Sequence, residues 1–308
     1  MKFEVSLFVV VFSLLASGFV CSAANQPATA RNSSIYARGT NGFGSAVFFK
    51  PKETATEDLV FRLAPLMMFE ARSAKSEVRS PKSTFPSTNQ SVASEFGALD
   101  WSNGIVQVDG ARPAVYFDMD TVRINERAHA RMTYLWCYAP TPGGQGRFGI
   151  QGIRLMLDLD GQPAIWEVLA DSSGAELIFV SQSLEAAAER AFGKPLPGRR
   201  YAIERGLSEA PDLVVARVID EGPMPMGPIV YWDKKDGDVS TLICRCMPAQ
   251  AKELVGTGTY ELLPLQSGTS SSLLAQARAG TSQRVALWLG EKASDDRLEK
   301  CLRLPGTF

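Results

Sequence analysis

The chain has a single histidine in 308 residues, and this scarcity excludes most catalytic designs that depend on an imidazole base. Serine-nucleophile hydrolysis requires such a base beside the serine, and the G-x-S-x-G turn that often carries the serine is also missing. The histidine, His129, lies between two alanines in a strand-like stretch. We therefore expect a structural or surface role for it rather than a catalytic one.

An excess of charge of either sign is also lacking. Lysine and arginine together number 32 against 33 for aspartate and glutamate, which gives a formal net charge of −1. Because proteins that bind nucleic acids usually carry a basic excess, nucleic acid is not an expected partner. The glycine-rich stretch 143–146 is not followed by the lysine and helix of a phosphate-binding loop, and no cofactor is predicted.

Long apolar runs are missing beyond residue 20. The uncharged, mostly apolar run Val5–Val20 follows Lys2 and precedes small residues at positions 22–24. This pattern predicts a signal peptide over residues 1–24 and hence an exported protein, periplasmic or secreted. The alternatives are a lipidated Cys21 and an uncleaved membrane anchor over residues 5–20. We expect contact with a membrane only through this segment, if it is not cleaved.

Cysteine is scarce as well, with five in the whole chain. In an oxidising compartment the cysteines beyond the signal segment are candidates for disulfides, with three possible pairings: Cys137, Cys244, Cys246 and Cys301. Cys244 and Cys246 share one face of a predicted strand, so a bond between them would be strained. Structural zinc sites usually use two C-x-x-C pairs, and no metal is predicted here.

The remaining sequence has the composition of a globular protein, with 45% hydrophobic residues. Residues 25–97 are expected to form a loosely ordered N-terminal region, with a polar linker at about 72–95. Residues 98–308 alternate strand-like stretches with a few short helical ones. The predicted fold class is α+β, a mainly antiparallel or mixed sheet built from hairpins with a few short helices packed on it.

The clearest local prediction is a β-hairpin over residues 151–170. Apolar residues alternate with polar ones before Asp160-Gly161, which predicts a two-residue type I′ turn. That turn sets one register, which places an apolar face on one side and an ion pair on the other. The predicted pairs are Leu157 with Ala164, Met156 with Ile165, Leu155 with Trp166, Arg154 with Glu167, and Ile153 with Val168.

Two aspartates, Asp118 and Asp120, are the weak candidates for a catalytic pair. Paired carboxylates can perform glycoside hydrolysis or hold a cation. The pairs at 158–160 and 233–238 are explained by predicted turns, whereas Asp118 and Asp120 end one predicted strand just before the next. Turn chemistry is the favoured explanation of this pair as well.

A long strand predicted over residues 121–138 carries a cationic face. Period-two alternation would place four residues on that face, Arg123, Arg127, His129 and Arg131. Such a row could bind a carboxylate, a phosphate or a sulfated polymer, because guanidinium groups bind oxyanions in bidentate fashion. The favoured alternative is a solvent-facing strand whose arginines pair with acidic residues of a neighbouring strand.

No assembled catalytic constellation emerges from these patterns. The first expectation is an exported, non-catalytic protein that binds a partner or has an envelope role. The alternatives are an exported hydrolase that uses Asp118 and Asp120, and an anion-binding module that uses the arginine row. Neither a substrate nor a specific partner follows from the sequence, and the question of enzymatic activity stays open at this point.

Overall fold

The computed structural model describes eleven stretches of the chain, all within a compact unit that runs from Ser45 to Phe308. They are residues 46–52, 58–70, 96–102, 105–139, 149–169, 176–206, 213–220, 227–233, 238–245, 257–265 and 295–308. The predicted signal peptide and the predicted linker at 72–95 lie outside these stretches. Part of the predicted N-terminal region does not, since residues 46–52 and 58–70 contribute strands and a helix to the fold.

Strands dominate the described residues because β-branched and aromatic residues alternate along them. Their bounds are β1 Ala46–Pro51, β2 Leu66–Glu70, β3 Phe96–Ser102, β4 Ile105–Asp109, β5 Ala114–Ile124, β6 Arg127–Tyr138, β7 Gly149–Leu157, β8 Pro163–Val168, β9 Glu176–Ser181, β10 Leu213–Ile219, β11 Pro228–Asp233, β12 Asp238–Arg245 and β13 Thr257–Pro264. The strands form one mixed sheet in the order β10-β9-β8-β7-β6-β5-β13-β1-β2-β11-β12, and the β3–β4 hairpin joins the far end of β6.

The described helices are short: α1 Leu59–Leu63, α2 Gln182–Phe192 and α3 Asp295–Cys301. In α2 the Ser181 hydroxyl accepts a hydrogen bond from the Leu184 amide at 3.2 Å, and Gly193 ends the helix at φ 77°. In α1 the Asp58 carboxylate accepts from the Val60 amide, and the helix ends before Pro65 because a residue preceding proline disfavours helical geometry.

The predicted fold class, α+β, is wrong. The described residues are mostly β, with 58% strand and 14% helix, and they form a curled mixed sheet that makes half a barrel. The sheet also contains parallel pairs, such as β1 with β13 and β2 with β11, that hairpin signals alone do not reveal.

The hairpin prediction is confirmed for four of its pairs and wrong at its turn. Arg154 lies opposite Glu167 and Leu155 opposite Trp166, but Leu157 pairs with Pro163 because the register shifts there. Among the turn residues only Gly161 has a positive φ, so the turn is not type I′. Instead the Asp158 carboxylate accepts from the Asp160 and Gln162 backbone amides, which stabilises a longer loop over residues 158–162.

The concave side of the sheet is filled by an aromatic core, which we define as Phe49, Phe69, Phe96, Trp136, Trp232 and Tyr260. All six are at most 2% exposed, and they come from strands spread across the sheet order. Phe96 is in ring contact with four of the others at centroid distances of 5.4–6.4 Å. Residues from distant strands can share one core only if the sheet curls around it, so this cluster sets the curvature.

The convex side carries two further cores. One lies between the sheet and helices α2 and α3, and includes Met156, Ile165, Leu184, Leu302 and Phe308. The other lies under the β3–β4 hairpin, and includes Leu99, Tyr116, Leu135 and Cys137. Polar side chains lie between these two apolar zones.

Candidate functional site

The candidate site is a polar band on the convex face, which we define as Asp118, Asp120, Arg131, Thr133, Arg154 and Glu167. Strand register aligns four of them in a row across the sheet: Asp118 lies opposite Thr133, Thr133 opposite Arg154, and Arg154 opposite Glu167. Opposed residues on neighbouring strands project to the same face. Side chains from β5, β6, β7 and β8 therefore lie together on one face. The two most distant of them in sequence, Asp118 and Glu167, are 49 positions apart.

Arg154 and Glu167 form a buried ion pair. The Arg154 Nη1 and Glu167 Oε2 atoms lie 3.7 Å apart, and the side chains are 3% and 4% exposed. Removing two charges from water costs several kcal/mol per ion, and their mutual attraction offsets this cost only in part. The pair therefore serves to fix which residues of β7 and β8 face each other, since any other register would bury an isolated charge.

Arg131 and Asp120 form a second ion pair, at the solvent boundary of the band. The Arg131 Nε–H donates to Asp120 Oδ1 at 2.8 Å, and an Nη2–H of the same guanidinium donates to Asp120 Oδ2. The Arg131 side chain is 6% exposed and that of Asp120 is 42% exposed. One candidate catalytic residue and one candidate anion-binding residue are thus bound to each other in bidentate geometry.

The predicted cationic row is not assembled. The stretch 121–138 is two strands, because Asn125 and Glu126 adopt positive φ values of 49° and 65° and form a tight turn between β5 and β6. Arg123 lies opposite Ala128, on the other face from Arg127, His129 and Arg131, which lie opposite Ile124, Val122 and Asp120. Arg123 and Arg127 are exposed, whereas Arg131 is bound to Asp120.

His129 is a core residue. It is 1% exposed, its Nδ1–H donates to the Leu157 carbonyl oxygen at 3.0 Å, and its ring stacks on Phe308 at 4.5 Å. The carbonyl can only accept, so Nδ1 carries the proton. In the same region the backbone N–H of Asn125 donates to Glu299 Oε1 at 2.9 Å, which links the β5–β6 turn to α3. The imidazole therefore helps to hold the C-terminal residues against the sheet.

The cysteines form no disulfide among the described side chains. Cys137 is a buried thiol of the core under the β3–β4 hairpin, and burial raises its pKa far above the ordinary value. Cys301 ends α3 and packs on the other convex core. The side chain of Cys244 and all of Cys246 lie outside the described residues, so the predicted pairings that involve them stay predictions.

The described stretches contain neither a metal-binding cluster nor a membrane-spanning helix. No three histidine, cysteine, aspartate or glutamate side chains converge closely enough there to hold a metal ion. None of the three described helices has the length and apolar character needed to cross a bilayer.

One functional candidate was missed by sequence reasoning. Arg217 is an exposed cation within the apolar strand Leu213–Ile219, and its guanidinium donates to the Leu242 carbonyl oxygen of β12. These two strands are the opposite ends of the sheet order. The only local signal was a single charge in an otherwise apolar strand, which is common at sheet surfaces.

No family model, no curated protein and no solved structure matches the chain.

Proposed function

We propose that the protein is an exported, non-catalytic binding protein. The observation that carries the proposal is the mutual engagement of the ionisable groups in the polar band. Asp120 binds Arg131 in bidentate fashion, and Glu167 lies beside Arg154 with both side chains buried. A carboxylate that already neutralises a guanidinium is poorly suited to act as a general acid, and the guanidinium is poorly suited to capture a free anion.

The two alternatives receive less support from the same geometry. A hydrolase that uses Asp118 and Asp120 would have both carboxylates on one face of β5, with Asp120 already bound by Arg131. An anion-binding module would have to work with Arg123 and Arg127, which lie on opposite faces of the sheet. Export is supported by the apolar N-terminal run and its small-residue ending.

The first experiment determines localisation and mature terminus. The full chain with a C-terminal tag is expressed in its native host, the compartments are separated, and the N-terminus of the product is sequenced. We expect an exported product that begins within two residues of Ala24. A product that keeps Val5–Val20 and sediments with membranes would establish an anchored protein instead.

The second experiment separates binding from hydrolysis. The exported protein is screened against chromogenic glycoside, ester and peptide substrates, beside an Asp118→Ala/Asp120→Ala variant. We expect equal, background turnover from both, and a discrete complex on size-exclusion chromatography of gently cross-linked envelope extract. Turnover that the double substitution abolishes would establish the hydrolase and end the proposal.

A further inference from the structure

The turn that follows α2 holds apolar side chains at the surface. Phe192, the last residue of the helix, is 40% exposed, and it is the one aromatic ring among the exposed large hydrophobic side chains of the described residues. The chain then runs through residues 194–197, where Leu196 is half-buried and the lysine and both prolines are exposed. The Arg199 amide donates to the Leu196 carbonyl oxygen at 2.9 Å, which fixes the shape of the turn. These apolar groups therefore face outward instead of packing into a core.

The same segment concentrates positive charge. Residues 190–205 hold five of the 32 lysines and arginines but only one of the 33 acidic residues, so the other 292 residues hold 27 cations against 32 acids. The one acid, Glu204, is 6% exposed, and its carboxylate accepts from the Arg200 and Tyr201 amides. Lys194 and Arg200 are exposed. A chain with a formal net charge of −1 thus presents one strongly cationic segment to solvent.

Main-chain carbonyl oxygens orient two arginines of this segment. Arg199 Nε donates to the Arg205 carbonyl oxygen at 2.6 Å, and Arg205 Nε donates to the Leu302 carbonyl oxygen at 2.9 Å. A carbonyl oxygen accepts a hydrogen bond without carrying a full negative charge, so these contacts position the cations and do not neutralise them. Among the described residues, the carboxylate within ion-pair distance of either guanidinium is Glu204, whose Oε1 lies 3.9 Å from Arg199 Nη1.

Arg303 adds a further cation directly against the exposed ring. Its guanidinium donates to the Ala202 carbonyl oxygen, and its Cζ lies 5.3 Å from the centroid of the Phe192 ring. The Arg303 backbone amide donates to the Ile203 carbonyl oxygen, which fixes the C-terminal residues beside the turn. Cationic and apolar groups therefore lie next to each other on one surface, which we call the α2 turn and define as residues 192–200 with Arg303.

Charge distinguishes the α2 turn from the two other described places with an exposed large hydrophobic side chain. Met119 is 58% exposed and Leu159 is 52% exposed. Each of them has an aspartate on both sides in the sequence, at positions 118 and 120 and at positions 158 and 160. Phe192 is instead followed by Lys194 and lies against Arg303. An anionic surface would repel the first two places and attract the third.

We propose that the α2 turn docks on an anionic lipid surface. Negatively charged head groups attract the cations, and the apolar side chains of Phe192 and Leu196 enter the boundary between the head groups and the acyl chains. The stem of Lys194 lies along that boundary while its ammonium group stays among the head groups. The inference goes beyond the proposed function, because a lipid surface is a second class of partner and no protein partner is needed for it.

A lipid surface accounts for both features of the α2 turn. A soluble acidic polymer or a small anion would engage the cations and leave Phe192 and Leu196 in water. A membrane offers negative charge at its surface and an apolar interior a short distance below it. The sequence patterns pointed to membrane contact only through residues 5–20, and the α2 turn is a separate, peripheral site far along the chain from them.

The test measures sedimentation of the exported protein with vesicles. One set contains phosphatidylcholine alone, and the other contains about one-third phosphatidylglycerol, which supplies the negative charge. Soluble polyphosphate is added in a parallel series as an anion without a bilayer. An N-terminal segment that had escaped cleavage would bind both kinds of vesicle, so the difference between the two sets reports the α2 turn.

Two pairs of variants give the expected result. Lys194→Glu weakens binding to the anionic vesicles at least about tenfold, because one attraction is lost and one repulsion is gained. The matched variant Arg123→Glu, an exposed arginine on β5, changes it less than about twofold. Phe192→Ser weakens binding about fivefold, whereas Leu159→Ser, the same kind of change at another exposed apolar position, leaves it unchanged. Circular dichroism and the urea midpoint confirm that all four variants are folded.

Three results would overturn the inference. They are equal binding of the parent protein to neutral and anionic vesicles, equal effects of Lys194→Glu and Arg123→Glu, and binding of polyphosphate without binding of vesicles. The third result would show capture of soluble polyanions instead. None of these results would affect the proposed function, because the protein complex in the envelope extract would still be present. Absence of that complex, with binding to anionic vesicles intact, would remove the protein partner and leave the lipid surface as the ligand of the α2 turn.

Discussion

The aromatic core on the concave face and the polar band on the convex face are held together by different physical means. On the concave face the aromatic core is at most 2% exposed and is stabilised by burial and ring packing, which are tolerant of small displacements. On the convex face the polar band depends on Arg154 with Glu167 and Arg131 with Asp120, whose hydrogen bonds and charges require defined positions. We infer that the aromatic core supplies stability and the polar band supplies register.

The variant with the largest expected loss of stability removes a ring from the aromatic core. Phe96 is fully buried and in ring contact with Phe49, Phe69, Trp232 and Tyr260. Phe96→Ala is expected to lower the free energy of unfolding by about 3–5 kcal/mol, because transfer and cavity costs add. Urea unfolding at neutral pH measures it. Leu159→Ala, at an exposed loop position, is the control and should change stability by less than about 0.5 kcal/mol.

The second test asks whether the buried ion pair stabilises the fold or only specifies its register. Glu167→Ala is expected to cost about 3–5 kcal/mol, because the guanidinium of Arg154 stays buried without the carboxylate beside it. The double variant Arg154→Met/Glu167→Leu is expected to be as stable as the parent or more so. If the double variant were as unstable as the single one, the pair would be a source of net stability and the comparison would fail.

Local pattern was sufficient where one short segment decides the geometry. Four pairs of the 153–168 hairpin follow from alternation around Asp160-Gly161. The turn itself was mispredicted because the Asp158 carboxylate caps its amides, and a type I′ assignment considers only Asp160 and Gly161.

The long strand over 121–138 was mispredicted for a different reason. A two-residue turn changes whether the even-numbered or the odd-numbered residues of the stretch face the convex side. The sequence pattern shows this change only when one of the two faces is polar. Val122 and Ile124 are buried on the convex side, while Met132, Tyr134 and Trp136 are buried on the concave side. Apolar residues therefore continue at even positions through Asn125 and Glu126, and the reversal leaves no trace in the pattern.

The polar band could be predicted only in part. Arg154 and Glu167 were recognised as an ion pair because one hairpin contains both, whereas Asp120 and Arg131 meet through a turn that was missed. The contact between Arg217 of β10 and Leu242 of β12 was beyond prediction, since these strands become neighbours only when the whole sheet curls. Sheet order depends on pairings between distant segments, which a single sequence does not specify.

The third test exploits a polar group placed in an apolar zone. Burial raises the pKa of Tyr116 to about 12, and the hydrogen bond that its hydroxyl oxygen accepts from the Leu99 amide lowers it by less. The unfolded tyrosine ionises near pH 10, so between about pH 10 and 12 the unfolded state loses protons that the folded state keeps. Stability should be constant below this window and fall within it as pH rises.

Urea midpoints from pH 8 to 11.5, with tyrosinate absorbance at 295 nm, measure this dependence. Burial also raises the pKa values of Tyr134 and Tyr260, whose hydroxyls donate to the Val60 and Pro65 carbonyl oxygens. Tyr116→Phe should remove part of the fall in the free energy of unfolding at alkaline pH. At neutral pH it should lower that free energy by about 1 kcal/mol, since the Leu99 amide loses its acceptor. Tyrosinate absorbance at pH 10, before unfolding, that is smaller in Tyr116→Phe than in the parent would contradict the burial of the Tyr116 hydroxyl.

The smallest effect is expected at the solvent boundary of the polar band. Asp120 is 42% exposed, so its ion pair with Arg131 is screened by water, and Asp120→Asn should lower the free energy of unfolding by at most about 1 kcal/mol. Because exposed charge pairs weaken with ionic strength, the difference from the parent should shrink between 0.05 and ~1 M salt.

Glu167→Gln is the matched variant for the interior pair, and its effect should be larger and nearly independent of salt. The result would contradict this expectation if Asp120→Asn lowered the free energy of unfolding as much as Glu167→Gln does, independently of salt. The whole polar band would then be shielded from solvent. The polar band would then contribute stability as the aromatic core does, and the distinction between the two regions would be lost.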